Sequence, residues 1–195
     1  MDEILTINTD KNSIEKVVIE PLQVFTEGFE SLKKDVPEYA GNFDKTIVEI
    51  AERMKTTLKM YNGLGLSANQ CGLDLRMFVM GTEGFIITCV NPRIISSSES
   101  LVGEKEGCLS FPGLFLNKKR NATIDVEYWN EFGEHKLVQF SGLTARIFQH
   151  ELEHLNGIQF IDNVGKTALM FARNKQKKLI KKFSRIVARK YTEKT

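Results

Sequence analysis

His150-Glu151-Leu152-Glu153-His154 is the stretch of this chain whose residue types and spacing could do chemistry. On a helix, residues four apart share a face, so two imidazoles at this spacing can grip one metal ion. Glu151 follows the first imidazole directly and can take a proton from a water beside that ion. The pattern points to metal-assisted hydrolysis. On an exposed helix the same pattern would be two solvated histidines without a task. The chain has three histidines in all, and two of them stand here.

Two imidazoles do not hold a catalytic metal. A third protein ligand is required, with a fourth position open to water. In one peptidase class a third histidine completes H-E-x-x-H-x-x-G-x-x-H. Here the run is HELEHLNGIQF. Gly157 matches, but Phe160 occupies the last position and cannot bind metal. Another class takes a glutamate from a later helix, yet no Asp or Glu occurs from Asn163 to Thr192. Asp162 is near enough in sequence to stay a candidate. Upstream, His135 reads as a solvated turn residue in Gly133-Glu134-His135-Lys136. Cys89 lies in the apolar run from Phe85 to Val90 and reads as a small core residue. Cys71 sits in a turn setting between Gln70 and Gly72. Cys108 follows Gly107, with Pro112-Gly113 just beyond, an irregular backbone suited to a site. Composition favours Cys108 slightly and leaves the others open.

Three segments, taken together and in order, resemble the peptide deformylases, which remove the formyl group from the N-terminal formyl-methionine of new polypeptides. Gly63-Leu64-Gly65-Leu66-Ser67-Ala68-Asn69-Gln70 is similar to the family's G-x-G-x-A-A-x-Q. Glu106-Gly107-Cys108-Leu109-Ser110 is identical to E-G-C-L-S. Gln149-His150-Glu151-Leu152-Glu153-His154 is similar to Q-H-E-x-D-H. Val90-Asn91-Pro92-Arg93-Ile94 and Ala145-Arg146 fit as well, and the likeness runs over residues 20 to 165. Three departures stand out. Ser67 replaces the usual Ala, Cys71 the commoner Val, and Glu153 the usual Asp between the histidines.

The resemblance implies that Cys108, His150 and His154 bind one divalent metal ion, Fe2+ first, with Zn2+, Ni2+ or Co2+ able to substitute. A thiolate donates more charge than a third imidazole would and suits a softer site. It implies Glu151 as the residue that takes and returns the proton. The Gln70 side chain and the Leu109 backbone N–H become the donors to the developing oxyanion. The substrate backbone would add as a strand along Leu64, Gly65 and Gly107. Leu143, Ile147 and His150 fall at i, i+4 and i+7 on one helix face, so the first two would line the methionine pocket. The plainer reading makes Leu143 and Ile147 ordinary core. Arg146 either pairs with a carboxylate such as Glu106 or is solvated. Gly63 and Gly65 open no G-x-G-x-x-G run after a strand, which argues against a nucleotide loop.

Two other functions compete. A zinc peptidase built on the same H-E-x-x-H would cut internal peptide bonds and ignore a formyl group. A non-catalytic, ribosome-associated protein of the same fold would need none of the site intact, whereas Cys108, His150, Glu151, His154 and Gln70 are all present.

The elements that must position these residues read as an α+β domain, with mixed or antiparallel strands around a central metal-binding helix. Residues 1–165 form the catalytic domain and 166–195 a basic amphipathic helix or tail. Ile47, Ile50, Ala51, Met54 and Leu58 repeat at helical spacing between Asp44 and Met60. Strands are predicted from Met77 to Met80, Phe85 to Asn91, Thr123 to Trp129 and Lys136 to Phe140. The metal helix runs from Leu143 to Leu155, with Gly157 as its stop. Ser96 to Ser100 reads as a polar loop.

Composition is ordinary for a globular protein of 195 residues, at 42% hydrophobic and 27% charged. Three unpatterned cysteines argue against a disulfide framework. No apolar run reaches the length of a membrane span, so no membrane partner is expected. The start, Met1-Asp2-Glu3-Ile4, has neither a signal-like nor a transit-like character, and the expected location is cytoplasmic. Charge is segregated. Residues 166–195 carry a net +10 and the other 165 residues a net −8. Leu179, Ile180, Phe183, Ile186 and Val187 give that tail an apolar stripe. Such a helix either packs its stripe on the domain or also meets ribosomal RNA through its basic face. The formyl-Met nascent peptide and the ribosome are the expected partners.

Overall fold

The structure, a computed structural model, describes residues 19–82 and 84–192, with side chains described as far as Arg185. The start at Met1 and the side chains of Ile186 and Val187 lie outside the described residues.

The elements, in chain order, are α1 (Lys45–Met60), β1 (Gly65–Ser67), β2 (Met77–Thr82), β3 (Phe85–Ser97), β4 (Leu101–Gly107), β5 (Phe115–Asn121), β6 (Thr123–Trp129), β7 (His135–Ser141), α2 (Gly142–Leu155) and α3 (Lys166–Thr192). Single 3-10 turns occupy Glu30–Lys33 and Ala68–Cys71. One sheet has the order β1-β2-β3-β6-β7, antiparallel throughout, and β4 pairs with β5 as a separate hairpin. This is the expected α+β architecture.

Side-chain alternation along β2 shows how the five-stranded sheet is covered. Met77 and Val79 point to one face, where they join Ile47, Ala51, Met54 and Leu58 of α1. Phe78 and Met80 point to the other, where they meet Ala145 and Phe148 of α2. Phe78 and Phe148 pack edge to face with ring centroids 5.1 Å apart. A strand with helices over both faces needs apolar residues at consecutive positions, which is why β2 reads as an unbroken apolar run. A third, smaller core of Phe111, Leu114, Leu116 and Phe160 lies under the hairpin and is closed by Leu169 and Ala172 of α3.

Helix ends follow the local chemistry. Asp44 caps α1 by accepting from the Thr46 N–H at 2.9 Å. α2 ends at Leu155 with Asn156 as its cap, and Gly157 follows at φ +69°. A side chain at Gly157 would also collide with the Lys33 carbonyl oxygen, 2.7 Å from the place of its Cβ. Among the described residues, no helix is long and apolar enough to cross a membrane.

Three readings change. His135 is not a turn residue: it opens β7, pairs with Trp129 and lies tilted against that indole, with ring centroids 4.7 Å apart. Ser96 and Ser97 belong to β3, so the polar loop shrinks to the residues before Leu101. β1, β4 and β5 are strands that periodicity did not reveal. β5 is mostly polar, Phe-Leu-Asn-Lys-Lys-Arg-Asn, and only its pairing with β4 makes it a strand.

Candidate metal centre

α2 carries His150 and His154 one turn apart, with ring centroids 5.0 Å from each other. Cys108, just past the end of β4, completes the cluster. The ligand atoms of Cys108, His150 and His154 all lie within 4.8 Å of one another, and Cys108 Sγ is 3.1 Å from His154 Nε2. Sulfur and two imidazoles, converging from a helix and a strand end, are a donor set that suits a divalent transition metal. The remaining candidates are elsewhere. Asp162 accepts from the Gln159 N–H at 2.7 Å inside a turn. Cys89 is buried in the sheet core beside Phe78, and Cys71 packs with the α1 core.

Around the cluster stands a network of buried charge. His150 Nδ1 lies 3.0 Å from Glu106 Oε2, which fixes that nitrogen as a donor and leaves Nε2 to face the cluster. Arg120 clamps Glu106 with Nε to Oε1 at 2.9 Å and Nη2 to Oε2 at 3.0 Å. Arg146 adds Nη1 to Oε1 at 2.5 Å. Burial opposes the Glu106 charge, but hydrogen bonds from His150 and Arg120 outweigh it and hold the carboxyl well below its usual range. Burial and the adjacent His150 push His154 well below the ordinary imidazole range, toward the neutral form that ligates metal. For His150, burial works against the cation, yet bonds to Cys108 and Glu106 raise it to about 10. A metal ion would have to displace that proton. Glu153, the departure from the usual Asp, reaches outward and pairs with Arg120 at 2.8 Å and Lys118 at 3.3 Å.

Glu151 is 3% exposed. Burial raises its carboxyl above the ordinary range, against the opposing effects of His150 and a hydrogen bond from Ser67. It lies at the wall of a cavity of about 490 Å3. The lining includes Leu64, Gly65, Gln70, Gly107, Cys108, Leu109, Leu143, Ile147, His150 and Glu151, so most residues singled out from the sequence share one space. His154 is the exception and sits behind it, 1% exposed. Leu143 is exposed at the rim and Ile147 is buried below it. Gly65 is required by close approach: a Cβ there would stand 2.3 Å from Glu151 Oε1. Gln70 is held by its own turn. Its Oε1 accepts from the Ser67 N–H at 2.8 Å, and its Nε2 donates to Ser110 Oγ at 3.0 Å and approaches Cys108 Sγ at 3.5 Å.

Sequence reasoning missed Arg120 and Lys118. They lie in a run of three consecutive cations that looks solvated, and their inward direction follows from register, which sets Glu106 against Leu116 and Glu104 against Lys118. Arg146 pairs with Glu106, resolving its two readings.

An antiparallel sheet packed on a helix that carries two imidazoles and a buried carboxylate, with the Cys108 thiol brought in from the end of β4, is the arrangement of a metal-dependent hydrolase. Residues 21–169 match the family model for polypeptide deformylase. The peptide deformylase of Thermotoga maritima is 38% identical over 142 residues, covering 73% of this chain and 84% of its own. That of Prochlorococcus marinus is 37% identical over 164 residues, covering 82% and 79%. A crystal structure of a peptide deformylase from Synechococcus elongatus, in complex with actinonin, superposes with a TM-score of 0.76 at 30% identity, over 90% of this chain and 94% of that one. The chain belongs to the peptide deformylase family. It is an amide hydrolase that removes the N-terminal formyl group from formyl-methionine of nascent polypeptides, and a divalent metal is its cofactor.

Proposed function

We propose that Cys108, His150 and His154 hold one Fe2+ ion and that Glu151 moves the proton during deformylation. The observation that carries this reading is the convergence of the three ligand atoms within 4.8 Å beside a buried carboxylate. When bound, the ion makes water more acidic and polarises the formyl carbonyl. Glu151 takes the water's proton as the oxygen attacks the formyl carbon. Charge gathers on the formyl oxygen, where the Gln70 amide and the Leu109 N–H donate. Glu151 then returns the proton to the leaving amine.

The peptide lies between two strand edges. β1 is the outer strand of the large sheet, and β4 is paired on one side by β5. Leu64, Gly65 and Gly107 offer backbone groups to an added strand. The methionine side chain enters the cavity against Leu143 and Ile147. A zinc peptidase reading lacks its later acidic ligand, and Phe160 packs 5.4 Å from the His150 ring where a third histidine would have stood.

Residues 1–165 are the catalytic unit in this reading, and 166–195 meet ribosomal RNA. Arg173 pairs with Glu27, and the Gln176 amide donates to the Pro112 carbonyl at 2.8 Å, so the helix is anchored by its first half. Leu179, Ile180 and Phe183 stay 36%, 52% and 62% exposed. The described part of the stripe is therefore mostly not spent on packing against the domain. A co-translational enzyme of this kind works in the cytoplasm. The test is turnover of formyl-Met-Ala-Ser after anaerobic purification, with metal analysis. One iron per chain and release of formate are expected. Cleavage of internal peptide bonds without formate release would refute the reading.

A further inference from the structure

Glu151 has two carboxylate oxygens in different surroundings. Oε1 lies 2.3 Å from the place a Cβ would take at Gly65, a residue lining the cavity. Oε2 lies 2.7 Å from Ser67 Oγ. The same hydroxyl is 3.0 Å from the Glu151 carbonyl oxygen. A serine has one proton to give, and the shorter contact, to a charged acceptor, takes it. Ser67 is fully buried and closes β1 directly before the turn that holds Gln70. Its hydroxyl has no solvent to compete with.

We propose that Ser67 is a positioning residue that ties down Oε2 of Glu151 and so leaves Oε1, over Gly65, as the oxygen that carries the proton. The proposal rests on Glu151 being the proton carrier. The balance is simple: Oε1 accepts one proton as water attacks and returns it as the carbon–nitrogen bond breaks, while the Ser67 proton stays on its own oxygen. A carboxylate held at one oxygen keeps its plane, so the other oxygen needs no search for its place in each cycle. Gly65 performs the complementary task, since any side chain would push Oε1 away.

The test compares Ser67→Ala, Glu151→Gln and Glu151→Asp with the wild-type metal-loaded enzyme on formyl-Met-Ala-Ser. Ser67→Ala keeps the backbone N–H that holds Gln70. Its kcat should fall about tenfold, as for loss of a group that orients a working side chain, with KM and metal content unchanged. Glu151→Asp draws the carboxylate back from the hydroxyl. Adding Ser67→Ala to it should cost little more, because the contact is already broken. An unchanged kcat in Ser67→Ala overturns the proposal. So does the same tenfold loss in the Glu151→Asp background, and so does a loss accompanied by released metal. An active Glu151→Gln would instead overturn the assignment of the proton carrier, a separate failure.

Discussion

α2 and α3 are both helices with many ionisable residues, and they handle charge in opposite ways. In α2, Arg146, His150 and Glu151 are buried, and the first two meet Glu106, which Arg120 also grips. In α3, the described cations beyond Lys175, from Lys177 to Arg185, are exposed. A buried charge costs several kcal/mol unless partnered, so each group in α2 needs one particular neighbour. An exposed charge is screened within about 8 Å at physiological salt, so the α3 cations matter by their sum. The comparison teaches that single substitutions should be severe around α2, whereas α3 should respond to total charge and salt.

The sharpest contrast is Glu151→Gln. It should retain stoichiometric metal and lose roughly 10²- to 10⁴-fold in kcat, because an amide accepts no proton. Turnover near wild type, with metal measured by mass spectrometry, would remove Glu151 from the reaction. Next is the thiol. Cys108→Ala should drop metal from one per chain to near zero, while Cys71→Ala and Cys89→Ala should keep it. Metal loss in either of those instead would move the third ligand. Glu106→Ala leaves Arg120 and Arg146 buried without their shared partner. It should destabilise the fold by about 3–5 kcal/mol in urea unfolding, and a cost under about 1 kcal/mol would mean that the network is not strongly coupled.

α3 should behave differently. A chain ending before Lys175 keeps every residue proposed for catalysis, along with Leu169 and Ala172. Turnover on a short formyl-peptide should hardly change. Ribosome binding by the intact protein should fall steeply between about 50 and 200 mM salt, as released counterions drive phosphate contacts, and the shortened chain should bind poorly at any salt. Equal, salt-independent co-sedimentation of both forms would end the RNA reading.

The smallest effect concerns alkaline stability and buried groups that belong to neither helix. Burial raises the Cys71 thiol and the Tyr128 phenol to about 12 each, and Cys89 well above its usual value. Lys55 is also raised: burial opposes its charge, but Glu131 and Glu52 outweigh that cost. In every case the folded chain holds its proton longer than the unfolded one. Stability should therefore be fully present at neutral pH and decline as pH rises from about 8.5, where unfolded thiols ionise, through the folded values. A melting temperature that stays flat to pH 11 would contradict these shifts. Lys55→Met should make the decline above about pH 10 shallower.

Much of the site was legible because its parts are local. His150, Glu151 and His154 sit on consecutive turns of one helix, and helical geometry alone puts both imidazoles on one face. The start of α1 at Asp44 and the stop after α2 at Gly157 are equally local, since capping depends on residues within a turn. The long apolar runs of β2 and β3 were visible for a similar reason. Strands under two helices leave no polar alternation to obscure them.

Other features depend on which distant segments meet. Local context separated Cys71, Cys89 and Cys108 only slightly, and the resemblance singled out Cys108. In the fold, pairing of β4 with β5 and packing of β5 on α2 bring Cys108 to His154, 46 positions away. Arg120 belongs to a charged run that no periodicity would place inside. The β4–β5 register and the buried Glu106 turn it inward. Ser67 looked like a minor departure until the fold set its hydroxyl against Glu151, 84 positions later. A helix face is decided by bonds between neighbours in sequence. A strand's partners and a buried charge's counterpart are decided only when the whole chain closes, because long-range pairing and burial set their energies.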